Sequence, residues 1–263
     1  MTNAGTEGRS EELLSNPIWS ALTTEHAGLA VGNGAARRYP EEIGPLSGLH
    51  EETGAGWAAL EPLAEAGASG LAVLFLREPL QLPAGWTLVR SGPIVQMVAE
   101  APKPVAMARP DGVELRRLTA ADAGAMVELA QLTEPGPFRL RTMELGTFFG
   151  ILDQGRLLAM AGKRMHVPNF VEVSGVCTHP EARGRGYARL LMSCVMEEIM
   201  ADGKRPFLHV FAHNHGAIRV YEDLGYRKSR QFEVAVVARD RQQGAGNRDQ
   251  RASASRTAGE TGG

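Results

Sequence analysis

One stretch of this chain has the residue types and spacing to do chemistry on an anion. It is Arg183-Gly184-Arg185-Gly186-Tyr187-Ala188, lying between an apolar run and an amphipathic one. Glycines at such a junction free the backbone to point several N–H groups inward. The first turn of the following helix adds partial positive charge, so a pyrophosphate is a natural guest. Arg183 and Arg185 supply formal charge beside it. A dinucleotide loop would need a third glycine in Gly-x-Gly-x-x-Gly, and a P-loop would need Lys-Ser or Lys-Thr; neither is present. Taken alone, the same six residues also describe a surface turn with two arginines in water.

Other candidates carry less. Cys177 could accept and pass on an acyl group, but a small thiol inside an apolar strand with no histidine arranged beside it reads first as core. His209, His213 and His215 are close in sequence, yet they lack the cysteine or carboxylate companions of a metal site, so no metal is expected. Any one of them could be an acid or base. Gly32-Asn33-Gly34 reads as a hairpin turn and not as a phosphate loop.

The elements that position the loop follow from apolar periodicity. A strand is expected over 170–178, stopped by Pro180, which cannot donate to a ladder. A helix over 186–201 follows, with Leu190, Leu191, Cys194, Val195 and Ile199 on one side and Gly203 past its end. Next come a strand over 206–211, a helix opened by Asn214 as N-cap and closed by Gly225, and a last strand over 231–237. Upstream, a strand is expected over 113–118, a helix over about 121–132, and strands over 148–152 and 157–165. Pro102, Pro104 and Pro110 punctuate a segment over 101–112 that reads as a linker. Before it, 11–100 reads as a smaller α/β lobe. Its helices centre on Leu13, Leu14, Ile18 and Leu22 and on Trp57, Leu60 and Leu63, and its strands lie over 71–76 and 94–98. Residues 113–240 read as the second, more regular domain. The ends, 1–10 and 241–263, are polar and expected to be disordered.

His179-Pro180-Glu181-Ala182 followed by residues 183–188 resembles the signature of the GNAT N-acetyltransferase superfamily. That pattern is Arg or Gln, two residues, Gly, one residue, then Gly or Ala, met by Arg183, Gly186 and Ala188. A second element of the family, Asn, then a small residue, then Tyr and Leu-Gly-Tyr, is matched by Asn214, Ala217, Tyr221, Leu224, Gly225 and Tyr226. The likeness covers about 113–239. Its final part is similar to the branch that includes glycine N-acyltransferase-like proteins, where a degenerate N-terminal lobe of the same kind would be at home.

The resemblance implies a mixed, mostly antiparallel twisted sheet with a splayed central strand pair, flanked by helices. Pantetheine would lie in the splay, bonded by backbone groups of Val176 and Thr178 as an added strand bonds an open edge. An amide near Val176 or Cys177 would polarise the thioester. The amides of Arg185, Gly186, Tyr187 and Ala188 would hold the pyrophosphate, with Arg183, Gly184, Asn214 and Tyr221 also among the coenzyme contacts. Tyr221 would protonate the departing thiolate, although it equally suits a packed aromatic beside Ala217, Ile218 and Leu224. Glu172 takes the place of the glutamate base of histone-type members, or is an ordinary strand glutamate. By analogy, Glu134 and Phe138 would touch the acceptor, although Glu134-Pro135-Gly136-Pro137 also marks a rigid turn.

The expected activity is therefore transfer of an acetyl or short acyl group from acetyl-CoA, the co-substrate, to a primary amine of a small molecule, peptide or protein. Two rivals stand beside it: a non-catalytic acyl-CoA sensor, and a nucleotide-binding protein. With 263 residues, 43% hydrophobic, the chain can bury one large core or two modest ones. A net charge of −2 argues against a nucleic-acid binder. Two cysteines, no basic-then-apolar leader and no apolar run of about 18 residues fit a cytoplasmic protein, monomer or homodimer, with no membrane partner.

Overall fold

The computed structural model describes residues 11–77, 79–104 and 111–240. The disorder expected of 1–10 and 241–263 lies outside them, as do residues 105–110 of the expected linker.

In chain order the elements are helix α1 (Pro17–Thr23), strands β1 (Ala36–Arg38) and β2 (Ser47–Leu49), helix α2 (Gly54–Glu65), and strands β3 (Leu71–Leu76) and β4 (Trp86–Ala99). Then follow β5 (Glu114–Arg117), helix α3 (Ala123–Thr133), β6 (Phe148–Asp153), β7 (Arg156–Val167) and β8 (Phe170–Thr178). Helix α4 (Tyr187–Ala201), β9 (Arg205–Phe211), helix α5 (His215–Asp223) and β10 (Tyr226–Arg239) complete the described chain. Local chemistry accounts for several starts: Pro17 opens α1, where its missing N–H is no loss. Thr53 caps α2 by accepting from the Gly56 amide, and Asn214 caps α5 by accepting from that of Ala217 at 3.1 Å.

Eight strands make one sheet in the order β3-β10-β4-β9-β8-β7-β6-β5, antiparallel throughout except for the β8–β9 pair. This is a mixed α/β architecture with a large, mostly antiparallel sheet. Strand alternation sorts side chains between two faces. Val171 and Val173 of β8, Leu208 and Val210 of β9, and Val95 and Met97 of β4 pack with Leu191, Val195 and Ile199 of α4 on one face. On the other, Phe170, Phe207 and Val98 meet Leu14, Ile18 and Leu22 of the N-terminal segment.

The segment at 101–112 does not divide the sheet. β4 lies between β9 and β10 and pairs antiparallel with both, while β3 extends the sheet beyond β10. The first hundred residues thus supply a central strand of the large sheet, beside a small two-stranded sheet of their own. Pro102 and Pro104 turn the chain, and the Lys103 amide donates back to the Leu224 carbonyl at 2.9 Å. The Gly32-Asn33-Gly34 stretch lies in a wider loop closed by a bridge between Val31 and Arg38, with the turn itself at Gly34 and Ala35, and is not a tight Asn-Gly hairpin. The β1–β2 pairing that follows was not foreseen.

Candidate functional site

β8 and β9 are joined over a short length: Phe170 faces Arg205, Val171 faces Pro206, and Glu172 faces Phe207. Past that point they separate. Residues 173–178 of β8 keep β7 as neighbour on one edge and, among the described residues, have no strand partner on the other. β9 likewise runs on to Phe211 with only β4 beside it. The result is a slot floored by open backbone groups, including those of Val176 and Thr178.

A bulge shapes the β8 wall. Met160 stands opposite Cys177 but Gly162 stands opposite Ser174, so β8 carries one residue more than β7 across that interval. Gly175 sits in it at φ +62, where an added Cβ would come within 2.9 Å of the Phe148 ring. Glycine is required here on both counts.

The strand leads into the loop. His179 accepts from the Glu181 amide, a tight turn over Pro180–Ala182 follows, and Arg183 is extended. Gly184 and Gly186 are both left-handed, at φ 78 and 76. Gly186 is the N-cap of α4 and offers no side-chain cap, so the amides at the start of that helix have no side chain over them. Arg183 and Arg185 are exposed and enter no ion pair among the described residues. Alternating left-handed glycines before an uncapped fifteen-residue helix make an anion cradle, and the charge of the residues present fits a diphosphate.

The sequence-expected residues fall into two groups. Val176 and Tyr221 pack against the same core cluster, on the α4 side of the sheet. The Tyr221 ring lies 6.2 Å from that of Tyr226, and its hydroxyl has no hydrogen-bond partner among the described residues. Burial pushes its pKa up to about 12, so it stays protonated at neutral pH. The Asn214 side-chain oxygen is engaged as a cap, leaving only its amide nitrogen for a ligand.

Glu172 and Cys177 belong elsewhere. The Glu172 side chain is fully buried. Its carboxylate accepts from Arg164 Nε and Nη2, both at 2.7 Å, and from His209 Nδ1 at 2.7 Å. Burial by itself would raise its pKa, but the Arg164 charge and hydrogen bonds, with help from His209, outweigh that and hold it at about 2. A carboxylate so committed is a counter-ion and cannot serve as the general base, which corrects the expectation for Glu172. Arg164 and Gln96 carry no motif and were missed, and His209 was noticed only as one of three histidines. The Gln96 amide nitrogen donates to the Leu14 carbonyl at 3.0 Å and meets His209 Nε2 at 3.1 Å, which makes Nε2 an acceptor and places the ring proton on Nδ1, toward Glu172. One available signal was Glu172 itself, the lone charged residue of β8. Cys177 packs in a separate cluster with Phe138 and Phe148, and burial pushes its thiol up to about 11. That disfavours an acyl-cysteine scheme, which needs a thiolate.

A cavity of about 800 Å³ opens at the C-terminal end of β9. Glu134 and Phe138 line it, together with Phe211, and so do Val73 and Arg90 from the first hundred residues. A small adjoining space is shared by Gly136, Pro137 and Phe138 and reaches Arg164, Ser174 and Gly175, at the bulge. The cavity therefore abuts the slot. Among the described residues no cluster of His, Cys, Asp and Glu could hold a metal ion, and no helix is long and apolar enough to cross a membrane.

Comparison with known proteins agrees with this geometry. Residues 148–235 match the family model described as FR47-like protein. No curated protein matches the chain. Among solved structures, it is similar to a GNAT-family protein from Novosphingobium aromaticivorans DSM 12444, assigned as an acetyltransferase. That match has 38% identity and a TM-score of 0.74, and covers 86% of this chain and 98% of the other. More distant likenesses show the fold alone. A GCN5-related N-acetyltransferase from Kribbella flavida is 19% identical with a TM-score of 0.54, covering 84% of this chain and 95% of that one. A GCN5-related N-acetyltransferase-like protein from Streptococcus suis 89/1591 is 12% identical with a TM-score of 0.55, over 88% and 99%. Splayed strands, a glycine-rich loop at the head of a helix, and a 38% identical relative matched over nearly its whole length lead to one assignment: the chain belongs to the GNAT family.

Proposed function

We propose that this protein is an acyl-CoA dependent N-acyltransferase, moving an acetyl or other short acyl group to a primary amine by direct attack within a ternary complex. The observation that carries this reading is the unpaired edge of β8 leading into the uncapped loop before α4. In it, the open backbone groups of Val176 and Thr178 bond the pantetheine amides. The amides of Arg185, Gly186, Tyr187 and Ala188 grip the diphosphate, and Arg183, Gly184 and Arg185 flank it. An amide at the bulge, on Val176 or Cys177, faces the thioester oxygen and stabilises the charge that develops there.

Tyr221 serves the leaving sulfur. A phenol at about 12 does not surrender its proton readily to a thiolate near ~8.5; complete transfer would cost about 5 kcal/mol. Its contribution is a hydrogen bond donated as charge builds on sulfur, with the acceptor ammonium as the eventual proton source. Since Glu172 is tied to Arg164, the amine loses its proton to water. That costs about 1 kcal/mol for an α-amine near ~8 and about 4 to 5 for a lysine-like amine near ~10.4. Acceptors of low basicity are favoured accordingly.

Steady-state release of free CoA from acetyl-CoA with a panel of amines tests this reading. Turnover that depends on the amine is expected. Coenzyme binding with no turnover on any amine would instead favour an acyl-CoA sensor.

A further inference from the structure

The acceptor cavity has a charge pattern of its own. Two of its lining residues, Arg90 and Arg139, come from distant parts of the sequence, one on β4 and one just past α3. Neither guanidinium meets a carboxylate among the described residues; that of Arg139 donates to the carbonyl of its neighbour Phe138, at 3.2 Å. Several other arginines do meet acids: Arg38 with Glu41, Arg116 with Asp122, Arg141 with Glu144, and Arg239 with Glu61. The one carboxylate in the lining is Glu134. It holds the left-handed conformation at φ 50, a backbone state that disfavours any residue with a Cβ by roughly 1–2 kcal/mol. Glycine would relieve that strain. Between the charges the walls are apolar, with Phe138, Phe211, Val73 and Val234 among them.

Building on the acyltransferase reading, we infer that the acceptor is an amine with an apolar body that ends in a carboxylate. Glu134 draws in the ammonium end, the apolar walls bury the body, and Arg90 and Arg139 receive the carboxylate. The volume of about 800 Å³ admits a molecule the size of an apolar dipeptide, well beyond a simple alkylamine. Part of this selection comes from the first hundred residues, which supply Arg90 and Val73.

The test compares acceptors that differ only in charge at the far end. Leucyl-phenylalanine is set against its C-terminal amide, and 4-(2-aminoethyl)benzoate against 4-(2-aminoethyl)benzamide, each with acetyl-CoA. The acid is expected to exceed the amide in kcat/KM by at least about tenfold, the worth of a charge-assisted hydrogen bond. In the R90Q/R139Q variant, whose changes lie on exposed side chains, the preference should fall to near unity. Equal use of acid and amide overturns the inference while leaving the acyltransferase reading intact. A protein that turns over no amine defeats that reading instead. The inference is then decided by calorimetry with N-acetyl-leucyl-phenylalanine and its amide: tighter binding of the acid upholds it, and equal binding, or none by either, overturns it.

Discussion

Glu172 lies at the last rung joining β8 to β9, and its bonds to Arg164 and His209 pin the strands where they begin to part. Removing one partner of a buried pair leaves an uncompensated charge, at a cost of about 3–5 kcal/mol. Glu172→Gln should therefore lower the melting temperature sharply. The double replacement Arg164→Met with Glu172→Leu should recover part of that loss, and thermal denaturation of the three variants checks it. A Glu172→Gln protein of unaltered stability but with activity lost only at low pH would restore the base. Tyr221 makes the opposite prediction. Tyr221→Phe should reduce turnover roughly 10²-fold, with acetyl-CoA affinity nearly unchanged, as expected of a group that acts on the leaving sulfur. Unchanged turnover in single-turnover kinetics would remove it from the mechanism.

At the scale of elements, the bulge shapes the open edge of β8, and the loop before α4 continues it. Gly175→Val would force a β-branched residue into a left-handed site against Phe148, so both stability and coenzyme affinity should fall. Gly184→Val differs: its Cβ meets nothing within 4 Å, and the penalty is backbone strain in the cradle alone. Weaker acetyl-CoA binding with a small change in melting temperature is expected, read by calorimetry and thermal denaturation on one sample. Much of this was legible from local chemistry. The strand over 170–178, the helix after Gly186 and the Asn214 cap all follow from periodicity, proline and capping residues. The bulge was not, since it depends on register against β7. The role of Glu172 was not either, since Arg164 and His209 reach it from other strands.

The whole molecule is built on one sheet whose centre comes from both ends of the sequence. β4 gave only a short apolar signal at 94–98, because its first part, from Thr87 to Ser91, is exposed, and its partners lie more than a hundred residues away. A fragment of residues 111–240 would leave β9 and β10 with bare edges, and it should fail to give a cooperative unfolding transition. The same tertiary seam carries a pH response. His26, near the N-terminal segment, lies 5.0 Å from His166 on β7 and bonds Tyr39 at 2.8 Å. Burial pushes both histidines down to about 4; for His26 the His166 ring adds to it, and for His166 Lys204 and Lys163 do, with Glu25 opposing at each. A lowered histidine pKa means that the unfolded chain takes protons first. Stability is thus fully present above about 6.5 and is lost as pH falls toward 4. Thermal denaturation across pH 4 to 8 should show this decline, and a level profile down to pH 4.5 would contradict it. In the proposed reaction, main-chain amides at the head of α4 grip the carrier of the acyl group. Titrating purified protein with acetyl-CoA at low salt tests that directly: saturable binding is predicted, and the absence of any association at high protein concentration would contradict it.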